Sequence, residues 1–347
     1  MPIPSRLDLE ETMIRETIKE LIPYKVTQIE NVVRLDANEN SNNLSFMIDA
    51  EDLNRYPDND ASTLKKAIAS YLSVDQEEII VGNGSSEMIE LLMKTYIEAG
   101  DNILGFDISF SMYKIFAKIY GADYISVSND NYVMDMDDLI NQAILKQPKL
   151  ILICNPNNPT GYLINKTDIE RLCKSTKSLV VVDEAYIEFC EGSMINRLGD
   201  YDNLIILRTF SKAWGLAGAR VGYLIASQTI VNDISKVKAP YNLNALSQGA
   251  AIKALENSCE TFKNVDEIIN QREYVYNQMC EMGYKVYKSA ANFLYFEEKE
   301  SLYDELLSCG VLIRAFGNRK YRVTIGSKSD NEMFLEGLQS VQTRMVI

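Results

Sequence analysis

Short runs of apolar, β-branched residues alternate along the chain with longer segments in which apolar residues recur at helical spacing. Between residues 77 and 128 the order is EEIIVGNG, SSEMIELLMKTYIEAG, NILGFD, SFSMYKIFAKIYGA and DYISVS. The first, third and fifth segments have the character of strands, and the two between them that of amphipathic helices. This alternation predicts the α/β class, with a mostly parallel sheet covered by helices.

The same pattern continues through the middle of the chain. The runs KLILICNP, SLVVVDEAY, NLIILRTFSK and RVGYLIAS read as further strands, and a polar helix is predicted near residues 166–177. KLILIC and SLVVVD are almost continuously apolar, which is typical of strands buried on both faces.

The pattern changes after about Pro240. Long, charged helical stretches are followed by YKVYKS, NFLYFEE, GVLIRAF and YRVTIG, which predict a smaller α+β domain with antiparallel strands. We therefore expect a large domain over residues 45–245, and a small domain formed by residues 246–347 with the N-terminal segment 1–44.

Composition excludes several classes of function. The 347 residues carry a net charge of -14, whereas proteins that bind nucleic acid concentrate Lys and Arg. The sequence has no histidine, which rules out Ser-His and Cys-His mechanisms and removes the commonest metal ligand, so no metal is expected. The six cysteines show no CxxC spacing, which predicts reduced thiols. The sequence has no apolar run of membrane-spanning length, and its acidic start is unlike a signal peptide. Together these features predict a cytoplasmic protein.

One lysine stands in a segment that suits both an anion and a Schiff base. Lys212 lies in TFSKAWGLAGARVG, directly after an apolar strand, among hydroxyls, glycines and an arginine. A lysine amine is nucleophilic only when neutral, and removal from water beside other cations lowers its pKa. Thr209, Ser211 and Arg220 are candidates to hold a phosphate nearby. The alternative is a solvated lysine in a surface turn.

Three further motifs follow strands or begin a helix. NPNNPTG, which contains Asn158, stands where ligands bind in doubly wound sheets, although it also suits a plain turn. VVVDEAY places Asp183 at the end of a buried strand with Tyr186 beyond it, and the aspartate is a candidate partner for a cationic group or an N-cap. GNGSSE exposes backbone N–H groups near Ser85 and Ser86 to an anion, or makes Ser85 an N-cap.

In chain order these motifs resemble the fold-type I aminotransferases, which depend on pyridoxal 5′-phosphate. The resemblance covers roughly residues 23–326. It is greatest to the histidinol-phosphate aminotransferase family, as shown by five further motifs: PYK, LDANEN, NRYPD, PYNLN and GVLIR. It implies the fold of PLP-dependent transferases of type I.

The resemblance also implies roles in cofactor binding. Lys212 would carry the cofactor as a Schiff base, and Asp183 would face the pyridine nitrogen. Tyr186 and Asn158 would bind the ring hydroxyl, with Phe110 against the ring face. The cofactor phosphate would be bound by the following residues: Ser85, Ser86, Thr209, Ser211, Arg220 and, from the second subunit of a homodimer with shared active sites, Tyr56.

For the substrate, the resemblance assigns Arg322 to an acidic group and Arg314 to a phosphate, with Tyr24 and Asn38 lining that end. The implied reaction moves an amino group from a donor, expected to be glutamate, to imidazole-acetol phosphate or to a smaller ketone such as dihydroxyacetone phosphate. Ser41 and the loop at Ile108 depart from the family pattern and leave the choice of substrate open. A decarboxylase of amino-acid phosphates is an alternative; a transcription regulator is disfavoured because no basic DNA-binding module precedes the fold.

Overall fold

The computed structural model describes residues 14–23, 29–41, 46–47, 53–129, 132–299 and 301–344. In chain order the strands are β1 (Val33–Arg34), β2 (Ile79–Asn83), β3 (Asn102–Phe106), β4 (Asp123–Val127), β5 (Leu150–Cys154), β6 (Leu179–Asp183), β7 (Leu204–Thr209), β8 (Val221–Ala226), β9 (Lys285–Tyr287), β10 (Phe293–Glu297), β11 (Val311–Leu312), β12 (Arg314–Ala315) and β13 (Lys320–Thr324). The α-helices are α1 (Ser62–Leu72), α2 (Gly84–Tyr96), α3 (Met112–Tyr120), α4 (Met136–Lys146), α5 (Lys166–Ser175), α6 (Gln228–Ser235), α7 (Ala245–Glu256), α8 (Ser258–Glu281), α9 (Leu302–Ser308) and α10 (Lys328–Arg344).

Seven strands form one large sheet in the order β2-β8-β7-β6-β5-β3-β4. The neighbouring strands β7, β6, β5, β3 and β4 are all parallel to one another, which confirms the predicted α/β fold with a mostly parallel sheet. β8 runs antiparallel to both of its neighbours, β2 and β7. The reason is the connection from β7: residues 210–220 contain only a short 3₁₀ turn, whereas a parallel crossover needs a longer connection, usually with a helix.

The centre of this sheet is buried from end to end. Every residue of β5, β7 and β8 is buried, as expected for strands that are covered on both faces. β5, β6 and β7 are neighbours and parallel, so their carboxyl ends, at Cys154, Asp183 and Thr209, meet at one edge of the sheet. Ligands of doubly wound sheets bind at that edge.

A second sheet has four antiparallel strands in the order β12-β13-β10-β9. The short strand β1 pairs in parallel with β11, in a register that sets Val33 opposite Val311. The N-terminal segment is thus joined to the C-terminal part of the chain. This pairing supports the predicted division into residues 45–245 and residues 1–44 with 246–347, which remains a prediction.

Gly161 lies where a loop of the large sheet meets the connection between β9 and β10. Its carbonyl accepts a hydrogen bond from the Ala290 backbone N–H at 2.8 Å. Its φ is 74°, and a Cβ there would collide with the Ser289 side chain. Glycine is therefore required on two grounds, and the close approach fixes the NPNNPTG loop against the connection between β9 and β10. Among the described residues, no helix has the length and apolar character required to cross a bilayer.

Candidate active site

A cavity of about 240 Å³ opens at the carboxyl ends of β5, β6 and β7, beneath the four-stranded sheet. It brings together most of the side chains that the sequence analysis selects. Those in its lining are Asn38, Ser85, Ser86, Phe110, Asn158, Asp183, Tyr186, Thr209, Ser211, Lys212, Arg220, Arg314 and Arg322. Residues from six of the motifs therefore converge on one space, together with Phe110 and Arg322.

Lys212 enters this cavity from the turn after β7. Its Nζ donates a hydrogen bond to the Ala37 carbonyl at 2.9 Å and lies 5.8 Å from the centre of the Tyr186 ring. Burial, assisted by the positive charge of Arg322, lowers the pKa of Lys212 to about 8. The direction is the one predicted from the sequence. An amine with this pKa is partly neutral near physiological pH and can act as a nucleophile or a base.

Asp183 ends β6 and is only 3% exposed. Its Oδ2 accepts a hydrogen bond from the Tyr113 hydroxyl at 2.9 Å, and Oδ1 accepts one from the Ala185 N–H at 3.2 Å. Both donors are neutral. Burial outweighs these contacts and raises the pKa of Asp183 to about 6. A carboxylate in this position is stabilised by a cationic group of a ligand.

Tyr186 and Asn158 lie on the side of the cavity nearest the four-stranded sheet. The Tyr186 hydroxyl accepts a hydrogen bond from Asn38 Nδ2 at 3.0 Å, and Asn158 Oδ1 accepts one from Arg322 Nη1 at 2.5 Å. Asn38 is itself fixed, because its backbone N–H donates to Thr324 Oγ1 at 2.9 Å. Asn38, which was expected at the substrate end, thus contacts a residue expected at the cofactor ring.

The opposite end of the cavity combines groups that suit an anion. Ser85 and Ser86 lie in the first turn of α2, where free backbone N–H groups and the helix dipole favour negative charge. Thr209 Oγ1 donates to Ser211 Oγ at 3.0 Å, and Arg220 Nη1 donates to the same oxygen at 3.3 Å. Hydroxyls, a guanidinium and a helix terminus together form what we call the anion cradle: Ser85, Ser86, Thr209, Ser211 and Arg220.

Gly222, on β8, lies directly against this cradle. A Cβ at Gly222 would collide with the backbone of Gly84 and Ser85, which cannot move without shifting the start of α2. We expect Gly222→Ala to weaken cofactor binding by roughly five- to 150-fold, because a steric clash of this kind costs roughly 1–3 kcal/mol. Equilibrium dialysis of the cofactor measures the effect. Gly218→Ala is the matched control, since a Cβ there meets nothing within 4 Å; equal affinity in both variants would contradict the prediction.

Two arginines of the four-stranded sheet line the cavity. Arg314 on β12 and Arg322 on β13 are directly opposite in the antiparallel register. Arg322 Nη2 donates to the Asp36 carbonyl at 2.7 Å, and its guanidinium carbon lies 5.3 Å from the centre of the Phe293 ring. Paired guanidinium groups suit a carboxylate or a phosphate, which each accepts two parallel hydrogen bonds.

Two predicted residues are not in this lining. Tyr56 is 81% exposed and stacks on Tyr241, with ring centroids 4.6 Å apart. Its contribution to a partner's active site therefore remains a prediction. Tyr24 lies outside the described residues.

Several residues that shape the site are not among the predicted site residues. Tyr113 lies in the predicted amphipathic helix, α3, and its hydroxyl donates a hydrogen bond to Asp183. Behind the cavity, Arg208 Nη2 forms a buried ion pair with Glu184 Oε2 at 2.9 Å. An arginine inside the apolar run NLIILRT and a glutamate directly after Asp183 are the sequence signals that would have indicated this pair.

Known proteins resemble this chain over nearly its whole length. The model of the family described as "Aminotransferase class I and II" matches residues 26–338. A histidinol-phosphate aminotransferase of Ruminiclostridium cellulolyticum is 40% identical, with 95% of this chain and 98% of the relative covered. The histidinol-phosphate aminotransferase of Clostridium acetobutylicum has a crystal structure that is similar at a TM-score of 0.81 and 28% identity, covering 90% of this chain and 99% of that one. That of Sinorhizobium meliloti, in complex with pyridoxal-5′-phosphate, is similar at a TM-score of 0.85 and 23% identity, covering 95% and 98%.

Proposed function

This chain belongs to the family of class I and II aminotransferases, and from that membership we propose that it transfers an amino group from glutamate to a small phosphorylated ketone. It is a pyridoxal-phosphate-dependent aminotransferase of fold type I. The name of the relative with 40% identity favours imidazole-acetol phosphate as the acceptor, which would yield histidinol phosphate. Dihydroxyacetone phosphate is the smaller alternative.

The observation that carries this proposal is the placement of four groups around one cavity. Asp183, a buried carboxylate whose hydrogen-bond donors are neutral, suits a protonated pyridine nitrogen. The anion cradle suits the cofactor's phosphate, and Lys212 projects into the same cavity. Arg314 and Arg322 then provide charge for a substrate. The residues present therefore fit pyridoxal phosphate, and Phe110, Asn158 and Tyr186 would complete the contacts to its ring.

When bound, pyridoxal phosphate withdraws electrons from the carbon that bears the amino group. The chain's own contribution is to move the proton. We assign this step to Lys212, whose Nζ has a pKa of about 8 and can therefore both accept and donate a proton near neutral pH. The sequence has no histidine that could compete for the role. Asp183, held by Tyr113, would stabilise the protonated form of the pyridine nitrogen.

The two arginines are proposed to divide the anionic groups of the substrates. If Arg314 binds the phosphate, Arg314→Lys should weaken binding of the phosphorylated substrate and leave the half-reaction with glutamate nearly intact. Arg322→Lys should impair both half-reactions, because glutamate's carboxylate also needs it. Loss of a charge-assisted contact costs about 1.5–3 kcal/mol, or roughly ten- to a hundredfold in kcat/KM.

Stopped-flow absorbance of the bound cofactor measures each half-reaction separately. Arg319→Lys is the matched control, because this arginine lies in the same hairpin but its Nε binds the Glu298 carbonyl at 3.1 Å, outside the cavity. Equal damage to both substrates from Arg314→Lys would refute the division. The decarboxylase alternative is tested in the same samples, since it releases carbon dioxide and transamination does not.

A homodimer with shared active sites is also part of the proposal. The exposed stack of Tyr56 and Tyr241 supports it, because two large aromatic side chains on a surface are typical of an interface. All six cysteines are free thiols, which supports a cytoplasmic location. Sedimentation velocity at micromolar concentration tests the dimer.

A further inference from the structure

A second cavity, of about 360 Å³, adjoins the active-site cavity. The two share a wall formed by Phe110, Asn158, Arg314 and Arg322. We call the second cavity the annex. Beyond the shared wall, it is lined chiefly by Ser109, Tyr295, Phe316, Asn318 and Lys320. A substrate bound at the arginines would therefore have room to extend into the annex.

Strand alternation places a third cation on the face that carries the two arginines. In β13, Lys320 precedes Arg322 by two residues, so both side chains lie on the same face of the small sheet. Arg322 is directly opposite Arg314 on one side and Tyr295 on the other. The annex thus has three cationic side chains and an aromatic one on adjacent positions of a single sheet face.

The carboxylates nearest Lys320 are held by other cations. Glu297, its cross-strand neighbour, accepts hydrogen bonds from Tyr287 at 2.5 Å and from Lys285 at 3.0 Å. Asp107, in the annex lining, is bound to Lys114 at 2.6 Å. The charge of Lys320 contributes least to the lowered pKa of Glu297, after Tyr287 and Lys285, and within the described ranges no carboxylate is in ion-pair contact with Lys320. Its ammonium group can therefore bind an anionic ligand.

We propose that the annex binds the terminal anionic group of a substrate, a carboxylate or a phosphate, and that Lys320 is the residue that selects for this group. The inference rests on the proposed function, whose donor and acceptor are both molecules with more than one polar end. The rings of Phe110, Tyr295 and Phe316 suit the hydrocarbon part between the two ends. A lysine, with a compact charge on a flexible stem, accommodates anions that differ in shape.

The test compares ligand pairs that differ only in the terminal anion, on the holoenzyme of wild type and Lys320→Met. Glutarate and butyrate, as competitive inhibitors, differ by one carboxylate; histidinol phosphate and histidinol, as substrates, differ by the phosphate. We expect Lys320→Met to weaken the binding of glutarate or of histidinol phosphate about three- to tenfold, as for a partly exposed charge pair. The affinities for butyrate and histidinol should not change, and neither should kcat. Weakening of glutarate alone identifies the carboxylate as the annex ligand, and weakening of histidinol phosphate alone identifies the phosphate.

Two variants separate recognition from structure. Lys320→Arg should restore binding, because it keeps the charge. Lys299→Met removes a lysine that pairs with Glu305 at 2.9 Å and lines neither cavity, and should have no effect. Unchanged binding of both anionic ligands in Lys320→Met, or an equal loss in Lys299→Met, would overturn the inference. If wild type does not turn over the phosphorylated amine, the proposed function fails, while the glutarate and butyrate pair still tests the annex.

Discussion

Lys212→Ala should abolish turnover, with a loss of about four orders of magnitude or more in kcat. The residue combines two roles, as covalent attachment point and as proton carrier, and loss of a general base alone costs typically 10²- to 10⁴-fold. The lowered pKa of Lys212, about 8, is what makes the amine competent at neutral pH. Single-turnover absorbance with saturating glutamate provides the measurement.

Added methylamine or ethylamine should restore part of the lost rate, in proportion to its concentration, because a free amine can carry the same proton. Lys236→Ala is the matched control; that lysine is exposed and pairs with Asp233 at 2.7 Å on the surface. Borohydride treatment followed by peptide mapping should place the cofactor on Lys212 in wild type. A cofactor adduct on another lysine, or near-normal turnover in Lys212→Ala, would refute the assignment.

Asp183→Asn should keep the cofactor bound and lower kcat by roughly a hundred- to a thousandfold, the typical effect of removing one electrostatic group from an active site. A neutral amide cannot hold a pyridine nitrogen protonated. Tyr113→Phe is the companion variant, because it removes the 2.9 Å hydrogen bond and keeps the carboxylate. Its kcat should therefore fall much less than that of Asp183→Asn. Equal losses in the two variants would contradict a role based on charge.

Asp183→Asn, which should lower turnover, should raise the stability of the cofactor-free protein. Burial raises the pKa of Asp183 from 3.8 to about 6, so between these pH values the folded state binds a proton that the unfolded state does not. Stability from this group is therefore lost as the pH rises through that window. Well above pH 6, cofactor-free Asp183→Asn should be more stable than wild type by on the order of 3 kcal/mol. Urea unfolding at pH 8 and pH 4 tests this, and the difference should be much smaller at the lower pH.

Much of this fold follows from its pattern of apolar residues. Runs such as KLILIC and SLVVVD are long enough and apolar enough to specify buried parallel strands, and the polar turns after them mark the ligand edge. The direction of β8 does not follow, because an apolar run is the same in both directions. What sets its direction is the length of the connection that precedes it.

The site was predictable where its motifs are contiguous. TFSKAWGLAGARVG holds the lysine, two hydroxyls and the arginine within fourteen residues, so their proximity is local. Tyr113 and Asp183 are 70 residues apart, and no local pattern indicates that their side chains meet. The same holds for Lys320, whose place beside Arg322 depends on strand alternation and on the cavity that the large domain contributes.

Arg322 already has protein acceptors on both terminal nitrogens, Asn158 Oδ1 at 2.5 Å and the Asp36 carbonyl at 2.7 Å. The long side chain is thus immobilised during folding, and its loss of rotamer entropy, up to about 2 kcal/mol, does not fall on substrate binding. An incoming carboxylate must compete with these acceptors or share the guanidinium with them. Affinity for the substrate should therefore be moderate, while discrimination by the angle and shape of the acidic group should be strict, since a rigid guanidinium does not follow a misplaced ligand.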